Sequence, residues 1–136
     1  IDALLLTLES ILESNFMLHP QDEKLATYAK KITKEEAKIN WEETAIKIHK
    51  KIMAFNYWPV AETLLSGERI RIHESEYREL KINGIPGHIK SIKDKHIEVF
   101  TKDGLLIIKK LQKDNARVID AQNFINSTDL KGKNFE

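Results

Sequence analysis

Near residue 60 the hydrophobic period of this chain changes from 3.6 to 2, so helices must give way there to short strands. Upstream, Ala45, Ile48, Ile52 and Phe55 recur at three- and four-residue spacing, with Lys47, Lys50 and Lys51 on the other side. Thr44 is placed to cap this helix, and Glu42 and Glu43 suit the positive end of its dipole. Asn56-Tyr57-Trp58-Pro59 ends it, because the residue before a proline is pushed out of the helical region. Downstream, Glu68 to Glu74 alternates, with Ile70 and Ile72 on one face and Arg69, Arg71 and His73 on the other. Asn83-Gly84 and Pro86-Gly87 mark a loop. Strands are expected at 88–93, 96–101 and 105–111, separated by Asp94-Lys95 and by the hairpin signal Lys102-Asp103-Gly104. Asp120 can cap a last short helix carrying Ala121, Phe124 and Ile125, and the polar tail from Ser127 is expected to fray. Short strands with turns this close hide their edges by closing on themselves. The expected class is therefore α+β, a small barrel of about five or six strands with flanking helices.

The amino-terminal stretch is organised differently. Ile1, Leu4, Leu5, Leu8, Ile11 and Leu12 repeat at helical spacing, with no capping Ser, Thr or Asn before them. So wide an apolar stripe calls for burial, since each such side chain is worth roughly 1.5–3 kcal/mol when covered. It packs either on the rest of this domain or on an absent upstream one. Residues 14–33 read as a connector, interrupted by Ser14, Asn15, Pro20, Gln21 and Asp22. Its apolar residues (Phe16, Met17, Leu18, Leu25, Tyr28 and Ile32) are expected to lie along a surface. Thr33-Lys34-Glu35-Glu36 is a capping box, to be followed by a short helical turn.

Composition narrows the function classes. With 41% hydrophobic and 32% charged residues the chain is no disordered tail, and without cysteine it has no disulfide, thiolate zinc site or cysteine nucleophile. Its longest apolar run, Leu4-Leu5-Leu6, falls far short of the ~18 residues of a membrane span, and no export leader is visible. A soluble, cytoplasmic protein with no membrane partner is expected. The five histidines show no ligand spacing, so no metal site is expected, and no phosphate loop, nucleophile elbow or paired-acid block occurs.

The formal charge of +1 hides a split, with residues 1–29 at net −4 and residues 30–136 at net +5. The basic residues gather on the connector (Lys30, Lys31, Lys34, Lys38), the helix, one strand face (Arg69, Arg71) and the late strand (Lys109, Lys110, Lys113, Arg117). A positive face on a barrel is a recurring way to hold a phosphate backbone, and a merely solubilising surface is the alternative reading. Lys50, Lys51, Lys109, Lys110, Lys34 and Arg71 are the expected contacts. No aromatic pattern for base stacking accompanies them.

From Gln21 to Leu65 the chain resembles the start of the carboxy-terminal domain of methionyl-tRNA formyltransferases. The resemblance is carried by Pro20-Gln21-Asp22-Glu23, Thr27-Tyr28-Ala29, the run Lys31 to Trp41, and Ala54-Phe55-Asn56-Tyr57-Trp58-Pro59. Pro86-Gly87-His88-Ile89 and the hairpin at Asp103-Gly104 look like later signals of the same family, so the likeness extends over nearly the whole chain. Tyr57, Val60 and Met53 depart from it, where the family usually has Pro, Gly and Arg. The resemblance implies that residues 1–15 are the last helix of a formyl-transfer domain, 16–33 a linker, 34–127 an OB-like tRNA-binding barrel, and 128–136 a tail. It implies Asn56, Trp58, Pro59 and Trp41 as structural residues, with Trp58 a packing anchor between helix and first strand. It further implies formyl transfer from 10-formyltetrahydrofolate to the amino group of initiator methionyl-tRNA by an Asn, a His and an Asp of the upstream domain. None of those motifs is present, so this stretch should hold no catalytic residue and no cofactor and should be inactive alone. Its partners would be the tRNA and the upstream domain, met through Ile1, Leu4, Leu5 and Leu8. Two other readings are the tail domain of a related formyltransferase or formyl-folate hydrolase acting on a small molecule, and a stand-alone RNA-binding module.

Overall fold

The chain forms two units, Ile1–Lys31 and Ile32–Glu136, in a computed structural model that describes residues 2–80 and 84–136. Ile1 and the Asn83 of the Asn83-Gly84 signal therefore lie outside the described residues. In the first unit α1 (Asp2–Leu12) buries no residue, and Leu4, Leu5, Leu8 and Leu12 are all exposed. Phe16, Met17, Leu18, Leu25 and Tyr28 are exposed as well. The apolar residues of the connector share no period that would set them on one face. The Asp22 carboxylate accepts from the Lys24 N–H at 3.0 Å and caps a single tight turn, Glu23–Leu25.

In the second unit a tight turn forms at Glu35–Ala37 with only one arm of the expected capping box: the Glu36 carboxylate accepts from the Thr33 N–H at 2.9 Å, while the turn is entered at Lys34 without a side-chain capping bond. Helix α2 (Ala45–Ala54) follows and buries Ala45, Ile48 and Ile52 of the expected stripe, while Phe55, its last member, sits at the end of the helix and is half-buried. Its cap differs from the sequence reading. The Thr44 side chain makes no capping bond; the Ala45 N–H instead donates to Asp103 Oδ1 at 2.8 Å, from 58 residues away. A carboxylate satisfies the first-turn amide and also meets the positive end of the helix dipole, which a hydroxyl cannot do as well. Asp103→Ala is accordingly expected to lower stability by about 1–2 kcal/mol and Thr44→Ala by well under that, as measured by urea unfolding.

The strands are β1 (Glu62–Leu65), β2 (Glu68–Glu79), β3 (Ile89–Lys93), β4 (His96–Phe100), β5 (Gly104–Lys113) and β6 (Ile119–Asp120). They form an antiparallel sheet in the order β1-β2-β5-β4-β3, with β6 paired to β5. Strand β2 runs past the expected Glu74. Its register slips around His73, and the inward positions change from Ile70 and Ile72 to Ser75, so simple alternation ends before the strand does. Central β5 is buried on both faces from Leu105 to Ile108. Helix α3 (Ala121–Ser127) buries Ala121 and Phe124, but the Asp120 side chain does not cap it. Ile48, Ile52, Ile70, Ile72, Leu106, Ile108 and Phe124 meet in one core.

The tail is the largest correction to the sequence reading. Leu130 and Phe135 are buried, at 5% and 2% exposure. Phe135 bridges to Leu65 of β1, and Asn134 bridges to His88 just before β3, so the tail ties together the two edges of the sheet. The Phe135 N–H donates to the Gly87 carbonyl at 2.9 Å, and the Glu136 and Leu64 backbones exchange bonds at 2.9 and 3.2 Å. Gly87, at φ +84°, leaves room that a Cβ would deny, because it would run into the Phe135 carbonyl. The open antiparallel sheet, consistent with a small OB-like fold, is thus bridged across its two edges by residues whose polar neighbours suggested fraying.

Candidate functional site

The pleat of β2 sends Arg69 and Arg71 to the face opposite Ile70 and Ile72, and Asp114, just beyond β5, collects both. Arg69 Nε donates to the Asp114 carboxylate at 3.0 Å and Nη2 at 2.8 Å, while Arg71 Nη2 approaches it at 3.2 Å. The Arg69 guanidinium holds the Asp114 carboxyl below its usual range, and Asp114 raises Arg69 in return. Glu62 of β1 lies 3.8 Å from Arg69 Nη1. A bidentate fork of this kind fixes the plane of the guanidinium.

Arg69, Arg71 and Glu62 line a recess of about 480 Å³. Lys34, Glu35 and Lys38 of the capping-box turn line it as well, and Trp58 and Pro59 complete it. Lys51 reaches across from α2, donating to the Lys38 carbonyl at 2.9 Å, with Glu43 3.8 Å from its Nζ. Lys34 and Arg71, two of the expected contacts, therefore line the same recess, and Lys51 sits beside it.

Trp58 is not the packing anchor expected of it, since 55% of its surface is exposed. Ile48 and Ile52 are buried, but the helix stops at Ala54, Phe55 is only half-buried, and the indole beyond it is left largely to solvent. The chain then passes through the cis Trp58–Pro59 bond and Val60 at φ +64°, a conformation a β-branched residue rarely adopts. That backbone accounts for the Gly usual at this place in the family the sequence resembles. Asn56 is half-buried, and the anchoring aromatic is Trp41. Trp41 is 5% exposed, its ring centre 5.6 Å from that of Phe135, and its Nε1 donates to Thr63 Oγ1 at 3.0 Å. Thr63 Oγ1 donates onward to the Glu136 carbonyl at 2.6 Å.

The other expected lysines lie elsewhere. Lys109 and Lys110 line a separate recess with Glu74 and His96, sharing no lining residue with the first. Lys109 pairs with Glu76, and Lys110 Nζ lies 2.8 Å from Glu74 Oε2, which raises Lys110 and lowers Glu76 from their ordinary values. Lys50 is exposed on α2 with no ion pair among the described residues. His49 is half-buried, its Nδ1 3.1 Å from Ser75 Oγ and its ring against Tyr77. The alternation of Arg69 and Arg71 was visible in the sequence. The involvement of Lys38, Arg69 and Trp58 in one recess with Lys34 depends on contacts between distant segments.

Comparison with known proteins follows the same lines. A methionyl-tRNA formyltransferase of Legionella pneumophila (strain Corby) is 40% identical over 124 residues, covering 91% of this chain and 40% of the relative. That of Hydrogenovibrio crunogenus is 33% identical over 132 residues, covering 97% of this chain and 42% of the relative. The chain thus spans about two fifths of the length of these relatives. Among solved structures, HypX from Aquifex aeolicus in complex with tetrahydrofolic acid superposes with a TM-score of 0.65 at 22% identity, over 96% of this chain and 23% of that one, a likeness of fold. The family described as formyl transferase, C-terminal domain, matches residues 31–129, and the chain belongs to it.

Proposed function

We propose that this chain is the carboxy-terminal part of a cytoplasmic methionyl-tRNA formyltransferase, and that its second unit holds the tRNA while an upstream domain transfers the formyl group. The observation that carries the reading is the 40% identity to such an enzyme over 91% of the chain. In the recess, Lys34, Lys38 and Arg71 contact the phosphate backbone, with Lys50 and Lys51 on the neighbouring helix and Lys109 and Lys110 as a secondary patch. The exposed Leu4, Leu5 and Leu8 of α1 pack on the formyl-transfer domain. The donor, 10-formyltetrahydrofolate, binds in that domain, and the present chain supplies neither cofactor site nor catalytic group. Binding energy from a remote, positively charged surface can then be used to orient the methionyl amino group at the reacting centre.

Backbone contacts position the tRNA and do not read its bases. Titration of the chain with initiator and elongator tRNAs should therefore give nearly equal affinities that fall steeply with salt. Each phosphate contact removed should lower the log–log slope by roughly 0.7–0.9. An affinity that ignores salt would rule this surface out as a tRNA site.

A further inference from the structure

The recess beside Trp58 is poorly explained as a phosphate site alone. Lys34, Lys38, Arg69 and Arg71 are offset there by Glu35, Glu62 and Asp114, which leaves a small positive excess. What distinguishes it is planar surface. Trp58 lines the recess and is 55% exposed, whereas Trp41 is only 5% exposed in the core. Arg69 is held flat by the Asp114 carboxylate through Nε and Nη2, so its guanidinium plane is fixed before any ligand arrives. Lys34 and Lys38 add ammonium groups on flexible stems that can follow a phosphate. A volume of about 480 Å³ lies in the range of pockets that take one small ligand, and a duplex would not enter it.

Resting on the RNA-binding reading above, we propose that this recess receives one unpaired nucleotide of the bound RNA, its base against the Trp58 indole and its phosphate against Lys34 and Lys38. A paired base within a helix offers no open face, so the contact selects single-stranded over double-stranded RNA. It tolerates any base identity, because every base has a π-face.

The test uses the whole chain and two RNA hairpins with the same stem, one blunt and one with a short single-stranded 3′ extension. The extension should tighten binding by the wild-type chain about 5- to 100-fold. Trp58→Ala should lose that gain while keeping its affinity for the blunt hairpin, and Trp58→Phe should retain most of the gain. Indole emission should be quenched by the extended hairpin in the wild type, and much less in Trp58→Phe, where only buried Trp41 remains. Should Trp58→Ala not fold, Trp58→Leu serves in its place, having apolar bulk without an aromatic face. An equal gain from the extension in wild type and Trp58→Ala overturns the inference, as does a wild type that binds both hairpins equally, and in either case the RNA-binding reading stands. A wild type that binds neither hairpin overturns that reading and this inference with it.

Discussion

Phe135→Ala is expected to lower the stability of the second unit by about 3–5 kcal/mol, the range for removing a buried aromatic. For a unit of about a hundred residues this is a fall in Tm of roughly 15 °C or more. The side chain is 2% exposed, packs on Trp41, and lies in the segment that bridges β1 to the residues before β3. Its loss therefore opens a cavity where the tail bridges the two edges of the sheet, and weakens the hold on both edges. Lys131→Ala, exposed in the same tail, should change stability by no more than about 0.5 kcal/mol. Thermal and urea unfolding of the two variants decide the matter. An unchanged Tm for Phe135→Ala would return the tail to the frayed segment that its composition suggests.

In a complete formyltransferase carrying this chain, Lys34→Glu and Lys38→Glu should each raise the KM for tRNA about tenfold, with a much smaller effect on kcat. A hydrogen bond to a charged group is worth about 1.5–3 kcal/mol, and the contact proposed here binds substrate and transition state alike. Both lysines are exposed, so the double variant should keep its melting temperature. Lys109→Glu with Lys110→Glu is the matched comparison. Those two already pair with Glu76 and Glu74, and their reversal should weaken tRNA binding less. The opposite ranking would move the interface to the second recess.

The parts of this molecule that were legible in its sequence are those governed by neighbours within one or two turns. The stripe Ala45, Ile48 and Ile52, the alternation of Ile70 and Ile72 against Arg69 and Arg71, and the hairpin at Asp103-Gly104 all appear where their spacing placed them. Less legible were features that depend on where an element stops. Trp58, which the family likeness made a packing anchor between helix and first strand, keeps 55% of its surface exposed beyond the helix end at Ala54. Strand β2 extends beyond its alternation, because the irregularity at His73 shifts the parity of its inward residues. The site suffered for the same reason. The sequence identified a population of basic side chains, but their division between two recesses follows from which strands and turns come together.

Period, breaker residues and a family likeness were enough for the class, for the helix before residue 60 and most of the strands after it, and for the inward face of Ile70 and Ile72. These are set by local sterics and by the demand that apolar faces be covered. Only the tertiary structure decided which carboxylate caps α2, which aromatic anchors the core and which segment bridges the edges of the sheet. Asp103 reaches Ala45 across 58 residues, and the Thr63 hydroxyl reaches the Glu136 carbonyl across 73. A hydrogen-bonding group in a polar stretch has many local alternatives, water included, and its own sequence does not rank them. The choice is made when the rest of the fold excludes water from one partner and brings it within about 3 Å of the other.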